Sequence, residues 1–242
     1  MSINFCDMQL TNINGEYELL LPEHRAAREQ WDIRNGGWEA ARINEMVKAI
    51  KPGQIVFDIG TEEGDISALL VKYTECKMVL FEPNDRVWPC ITSIWKANNL
   101  PAPLDFFRGF LSDKTTEGYH HQIDPSLKFG QMIADHGFKQ LYENYPDVPQ
   151  ITLDQYCEET GIYPDVITMD VEGSEGKVLR GAEMLLRVKK PIIFCSIHPE
   201  FMYIHYNEWV TPFLRFVDEC GYTHRCIEYD YHELHMVFEP KK

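Results

Sequence analysis

Residues 54–64 read Gln54-Ile55-Val56-Phe57-Asp58-Ile59-Gly60-Thr61-Glu62-Glu63-Gly64, and Asp65-Ile66-Ser67-Ala68-Leu69-Leu70 follows. An apolar run ends in an acid, two glycines frame a short polar stretch, and apolar residues then recur at helical spacing. That order spells a buried strand, a tight turn and the start of a helix. In an open α/β sheet such a unit opens a crevice at the carboxyl end of the strand, where nucleotide-type cofactors lie.

Working outward, the same rhythm continues. Ala41, Ile43, Met46, Val47 and Ile50 predict a helix over Trp38 to Ile50, stopped by Pro52-Gly53. Met78 to Phe81 predicts a second strand ending at Glu82-Pro83, then a helix from Asp85 to Asn98 and a third strand from Leu104 to Leu111. Asp165 to Asp170 is a fourth strand, and Val178, Leu179, Ala182, Leu185 and Leu186 give one amphipathic helix from Ser174 to Arg187. A fifth strand, Pro191 to Ile197, ends at His198-Pro199, and proline holds His198 extended at the strand's end. A helix from Trp209 to Cys220 and a hairpin of Thr223–Ile227 with Leu234–Phe238 close the chain. Strands alternating with helices predict a mostly parallel sheet covered on both faces. Two segments stand outside the rhythm. Residues 1–35 predict an arm or hairpin packed on a main domain of residues 36–242, and residues 114–150 predict an inserted lid or binding loop.

The acid before the glycines indicates what the crevice holds. A carboxylate at Asp58 repels a dinucleotide's pyrophosphate, whereas it attracts the ammonium and sulfonium of S-adenosylmethionine. Thr61 also stands where a nicotinamide enzyme's second glycine would let the pyrophosphate approach. Glu82 lies 18 residues after Gly64, at a strand end where a carboxylate accepts hydrogen bonds from ribose hydroxyls. A surface acid closing a strand is the plainer alternative for Glu82, and tight turns favour glycine whatever they bind.

Bulk composition narrows the class. The chain has 242 residues, 44% of them hydrophobic, and a net charge of −15 without any dense basic run, which disfavours nucleic acid as a partner. Seven scattered cysteines and no Cys-x-x-Cys pair point to a reducing compartment. The N-terminus lacks a signal pattern, and no apolar run reaches the roughly 20 residues that span a bilayer. A cytoplasmic protein without membrane contact is the expectation.

Asp58-Ile59-Gly60-Thr61-Glu62-Glu63-Gly64 resembles the first motif of class I methyltransferases. Leu111-Ser112-Asp113-Lys114, Ile151-Thr152-Leu153-Asp154 and the run from Met169 to Ala182 resemble further segments of the FkbM family, as does Trp38-Glu39 ahead of the first motif. The resemblance covers about residues 36–240. It implies a Rossmann-like class I methyltransferase fold with a seven-stranded, mostly parallel sheet and an antiparallel terminal hairpin. It also implies S-adenosylmethionine-dependent methyl transfer to a hydroxyl of a sugar or natural product, so the expected partner is a small-molecule or glycan acceptor. Asp58, Gly60, Thr61, Gly64 and Glu82 would bind the cofactor, and the family's placement sets Phe110 and Leu111 near the adenine. Two positions depart from the family pattern. Thr61-Glu62 replaces an Ala-Asn pair, and Ser196 stands where a glutamate often precedes His-Pro.

For chemistry, the acceptor hydroxyl must lose a proton. Asp170, Glu172 and His198 are the candidates, with His198 as base by its near-neutral intrinsic pKa and Asp170 assisting. A structural role remains open for each: His198 as a strand-end hydrogen-bonding group, Glu172 and Glu175 as helix caps. His232-Glu233-Leu234-His235 is one residue short of a zinc motif, and on a strand its histidines face opposite ways. A divalent ion on Asp170 is compatible with the sequence and not required by it, and the same holds for a homo-oligomer. Two alternatives stay open: a binding protein for S-adenosylmethionine without transferase activity, and a nicotinamide oxidoreductase on the same sheet.

Overall fold

The computed structural model describes residues 7–123, 148–230 and 232–242. Its centre is a seven-stranded sheet in the order β10-β11-β9-β8-β3-β4-β5. The strands are β3 (Ile55–Ile59), β4 (Lys77–Phe81), β5 (Asp105–Phe107), β8 (Val166–Asp170), β9 (Ile192–Ile197), β10 (Tyr222–Asp230) and β11 (Glu233–Pro240). β3 pairs in parallel with both β4 and β8, β8 pairs in parallel with β9, and β11 runs antiparallel to β9 and β10. The chain therefore moves outward from β3 on one side and returns to β8 on the other. The strand order reverses between them, and a crevice opens there beyond the carboxyl ends. This is the predicted sheet, terminal hairpin included.

Period-two alternation sorts the core into two layers. Phe57, Ile59, Val79, Phe81, Ile167 and Met169 face α5 (Leu153–Thr160), α6 (Glu175–Arg180), α7 (Glu183–Val188) and α9 (Val210–Glu219). Val56, Met78, Leu80 and Val166 face α2 (Ala40–Ala49), α3 (Asp65–Thr74) and α4 (Trp88–Ala97). Asp58 follows Val56 onto the second face, which brings its carboxylate to Ser67 on α3.

The N-terminal segment forms an antiparallel hairpin of β1 (Met8–Ile13) and β2 (Tyr17–Pro22), followed by the one-turn helix α1 (Glu23–Ala26). Ile13, Leu19 and Leu21 are buried in the second core layer. Asn98 grips the hairpin from the end of α4, since its amide accepts from Leu20 N–H at 3.0 Å and donates to Leu20 O at 2.9 Å.

Three expectations are corrected. The Leu104–Leu111 run is two strands: β5 belongs to the sheet, while β6 (Phe110–Leu111) pairs in parallel with β7 (Gln150–Ile151). The helix expected over Ser174–Arg187 is broken into α6 and α7 at Gly181, where any Cβ would stand 2.0 Å from Ser112 O. Hydrophobic periodicity runs through the break because both short helices bury the same side. The helix expected from Asp85 begins at Trp88, since the stretch before it is a turn fastened by Asn84. Most of the proposed insertion, residues 124–147, lies outside the described residues; its two ends meet at the β6–β7 pair.

Candidate active site

Two adjoining cavities occupy the crevice, of about 490 Å³ and about 460 Å³. Gly60, Glu82, Asp170 and Glu172 line both, so the pair forms one continuous cleft across the ends of β3, β4 and β8. Gly60 has φ +82°, and a Cβ there would stand 1.8 Å from Asp170 O. Only glycine lets β3 turn away while its backbone lies against β8.

Glu82 lines both cavities and is 7% exposed. Its oxygens accept from Glu62 N–H at 2.9 Å and Asn84 N–H at 2.7 Å. Burial pushes its carboxyl up to about 7, against the pull of those two backbone donors. Asp58 is buried too, and burial lifts it to about 6 despite the Ser67 hydroxyl, Arg42 and Thr61. Thr61 donates to Asp58 O at 3.0 Å, closing the turn. Asp58 and Thr61 line the second cavity, and Phe110 and Leu111 line the first. Gly64 lines neither; it starts α3 against Ile91 and Trp95.

The departure at Glu62 has a partner that the sequence concealed. Arg25, 1% exposed in α1, donates to both Glu62 oxygens at 3.0 Å and pairs with Glu63 at 3.1 Å and with Asp65. Arg28 adds a 3.2 Å contact to Glu62. Burial works against Glu62 ionising, yet Arg25 and Arg28 outweigh it and hold that carboxyl below its ordinary range. The N-terminal arm is therefore fastened onto the glycine turn through a buried guanidinium.

At the far wall, Asp170 and Glu172 face the cleft while His198 lies behind them, 2% exposed and lining neither cavity. His198 Nδ1 is 2.8 Å from Glu175 Oε1, itself fully buried. His198 Nε2 faces Asp170 at 3.6 Å, Glu172 at 3.5 Å and Glu233 at 3.5 Å. Burial alone would lower its pKa, but Glu175, Glu233 and Asp170 outweigh burial and raise it to about 10. Asp170 is pushed well above the carboxylate range by burial and by Glu39.

Sequence reasoning missed Glu233. It enters because β11 pairs antiparallel with β9, with Leu234 opposite Ile197 and His235 opposite Ser196, which sets Glu233 beside the end of β9. Glu233 thus brings a carboxylate to 3.5 Å from His198 Nε2. Ser196 instead meets His235 Nδ1 at 2.9 Å.

A family model described as the methyltransferase FkbM domain matches residues 58–224. The chain belongs to the FkbM methyltransferase family. Among solved structures, it resembles methyltransferase FkbM from Methylobacillus flagellatus KT, with a TM-score of 0.54 at 12% identity, covering 88% of this chain and 62% of that one. It also resembles an rRNA methylase from Streptococcus thermophilus, with a TM-score of 0.51 at 8% identity, covering 83% and 94%. At such identities the likeness is one of fold, and it agrees with the Rossmann-like class I sheet described above. A comparison with curated proteins returned no match. Among the described residues, no helix of this FkbM methyltransferase is long and apolar enough to cross a membrane.

Proposed function

We propose that this methyltransferase uses S-adenosylmethionine to methylate a hydroxyl of a small-molecule or glycan acceptor. The observation that carries the reading is the charge of the cleft. Asp58, Glu82, Asp170, Glu172 and Glu233 line it; of its cations, Arg28 and Arg42 are engaged by Glu62 and Glu39, and Lys177 lies 4.3 Å over the Tyr206 ring. Such a lining suits an ammonium and a sulfonium and opposes the pyrophosphate of a nicotinamide dinucleotide. The residues fit the cofactor: Glu82 would accept from the ribose hydroxyls, Asp58 and the turn at Gly60 and Thr61 would serve the methionine end, and Phe110 and Leu111 would flank the adenine.

When bound, S-adenosylmethionine supplies a methyl group already activated on a cationic sulfur. The chain has to orient the acceptor oxygen and take its proton. Asp170 presents a carboxylate of raised proton affinity to the cleft, and His198 stands behind it. The Asp170–His198 pair is the proposed base. Asp170 is the group within the acceptor's reach, and His198 Nε2 faces it from behind at 3.6 Å. Glu172 is placed to orient the acceptor.

The test is incubation of the protein with methyl-labelled S-adenosylmethionine and a panel of sugars and hydroxylated natural products. Products are read by mass spectrometry and NMR. An O-methyl product is expected. Label found only on nitrogen or carbon, or cofactor binding without transfer to any member of the panel, would overturn the acceptor class.

A further inference from the structure

His198 and its neighbours form an arrangement that hydrogen bonding does not explain. Nε2 of His198 and Oδ1 of Asp170 are buried and have no hydrogen-bond partner among the described residues. Such orphaned groups are costly, because each forfeits its contacts with water and gains nothing in return. Both atoms point at the same small space, as does Glu233. The ligating atoms of Asp170, His198 and Glu233 all lie within 4.8 Å of one another. Three carboxylate contacts to one imidazole nitrogen at 3.5–3.6 Å are too long for hydrogen bonds and close to the separation of neighbouring ligands around an ion.

The other ring nitrogen strengthens the case. Nδ1 is held at 2.8 Å by the fully buried Glu175, which fixes the ring and directs Nε2 into the space. A carboxylate behind a histidine in this way is the usual outer support of a metal-binding imidazole. Charge points the same way. Asp170, Glu172, Glu175 and Glu233 surround one histidine, and the nearest guanidinium, Arg42, is engaged by Glu39 and by Thr168 at 2.6 Å.

We propose that Asp170, His198 and Glu233 bind a divalent cation at the rim of the cofactor cleft, with Glu172 as a further ligand. The donor set is mostly carboxylate with one imidazole, which suits Mn²⁺ better than Mg²⁺ and a hard ion better than a thiophilic one. Ligands about 2.1 Å from an octahedral ion stand roughly 3 Å apart, so a contraction of about half an ångström closes the site. The open side of the ion would face the cleft, where it would bind and acidify an acceptor hydroxyl. That role rests on the transferase reading above; the binding site itself does not. A second cluster, His24, Glu63 and Cys90, also has ligand atoms in reach, but Arg25 already brings a cation to Glu63.

The test is calorimetric titration of the metal-stripped full chain with Mn²⁺ alone, followed by electron paramagnetic resonance of the bound ion. Saturable uptake at a single site is expected. Glu233→Gln, on a residue at the cleft wall, should abolish it, and Glu175→Gln, behind the ring, should weaken it by about 10- to 100-fold. His24→Asn should leave it unchanged. Circular dichroism of each variant separates lost binding from lost folding. No saturable Mn²⁺ uptake by the folded wild type, or uptake lost in His24→Asn and kept in Glu233→Gln, would overturn the site. Titration with S-adenosylmethionine on the same sample keeps the two ideas apart. Cofactor bound without Mn²⁺ rejects the metal site alone, and Mn²⁺ bound without cofactor rejects the cofactor reading alone.

Discussion

At the scale of single residues, the site depends on carboxyl groups whose charge is set by burial. Glu82 is the clearest case. It is lifted to about 7, so its ionised form prevails above that pH and its neutral form below. A carboxylate accepts from hydroxyls more strongly than a carboxylic acid does. Affinity for S-adenosylmethionine should therefore be full above neutrality and decline as pH falls through about 7. Calorimetry on either side of that value checks it, and Glu82→Gln should bind weakly with a flattened profile. A steep profile kept by the glutamine variant would contradict the assignment. The Asp170–His198 pair predicts a different signature. His198→Ala should retain cofactor affinity, because the ring lines neither cavity, while turnover falls by about 10²–10⁴-fold. Unchanged turnover would remove His198 from the chemistry.

At the scale of elements, the arm and the glycine turn behave as one unit. Arg25 in α1 neutralises Asp65 in the first turn of α3, and both side chains are within 3% of full burial. Removing one member of a buried pair strands the other's charge. Arg25→Ala should thus cost about 3–5 kcal/mol in urea unfolding, and Asp65→Asn in the same background should restore part of it. A loss within the range of an ordinary surface substitution would show that the arm is not fastened there. The strand, turn and helix around Gly60 were legible because each needs only local pattern. So were Asp58 and Glu82, because they close strands. Arg25 and Glu233 were not. Arg25 reaches Glu62 and Asp65 across 37 and 40 residues, and Glu233 gains its place only from the β9–β11 register. The pattern His232 to His235 drew attention to the two histidines, whereas the carboxylate between them is what approaches the site. The break at Gly181 was hidden because periodicity does not register a close approach by another segment's carbonyl.

At the scale of the whole molecule, strand order places the acids. The reversal between β3 and β8 puts Asp58, Glu82 and Asp170 at one end of the sheet, and the antiparallel β11 adds Glu233. The result is a cleft lined mostly by acids, in which Arg28 and Arg42 are engaged by Glu62 and Glu39 and Lys177 lies over the Tyr206 ring. Such a cleft should discriminate between ligands that share an adenosine but differ in charge. Calorimetric titration of the full chain with S-adenosylmethionine and with NAD is therefore the most direct measurement. Saturable binding of S-adenosylmethionine and none of NAD is the predicted result; binding of NAD without S-adenosylmethionine would contradict it.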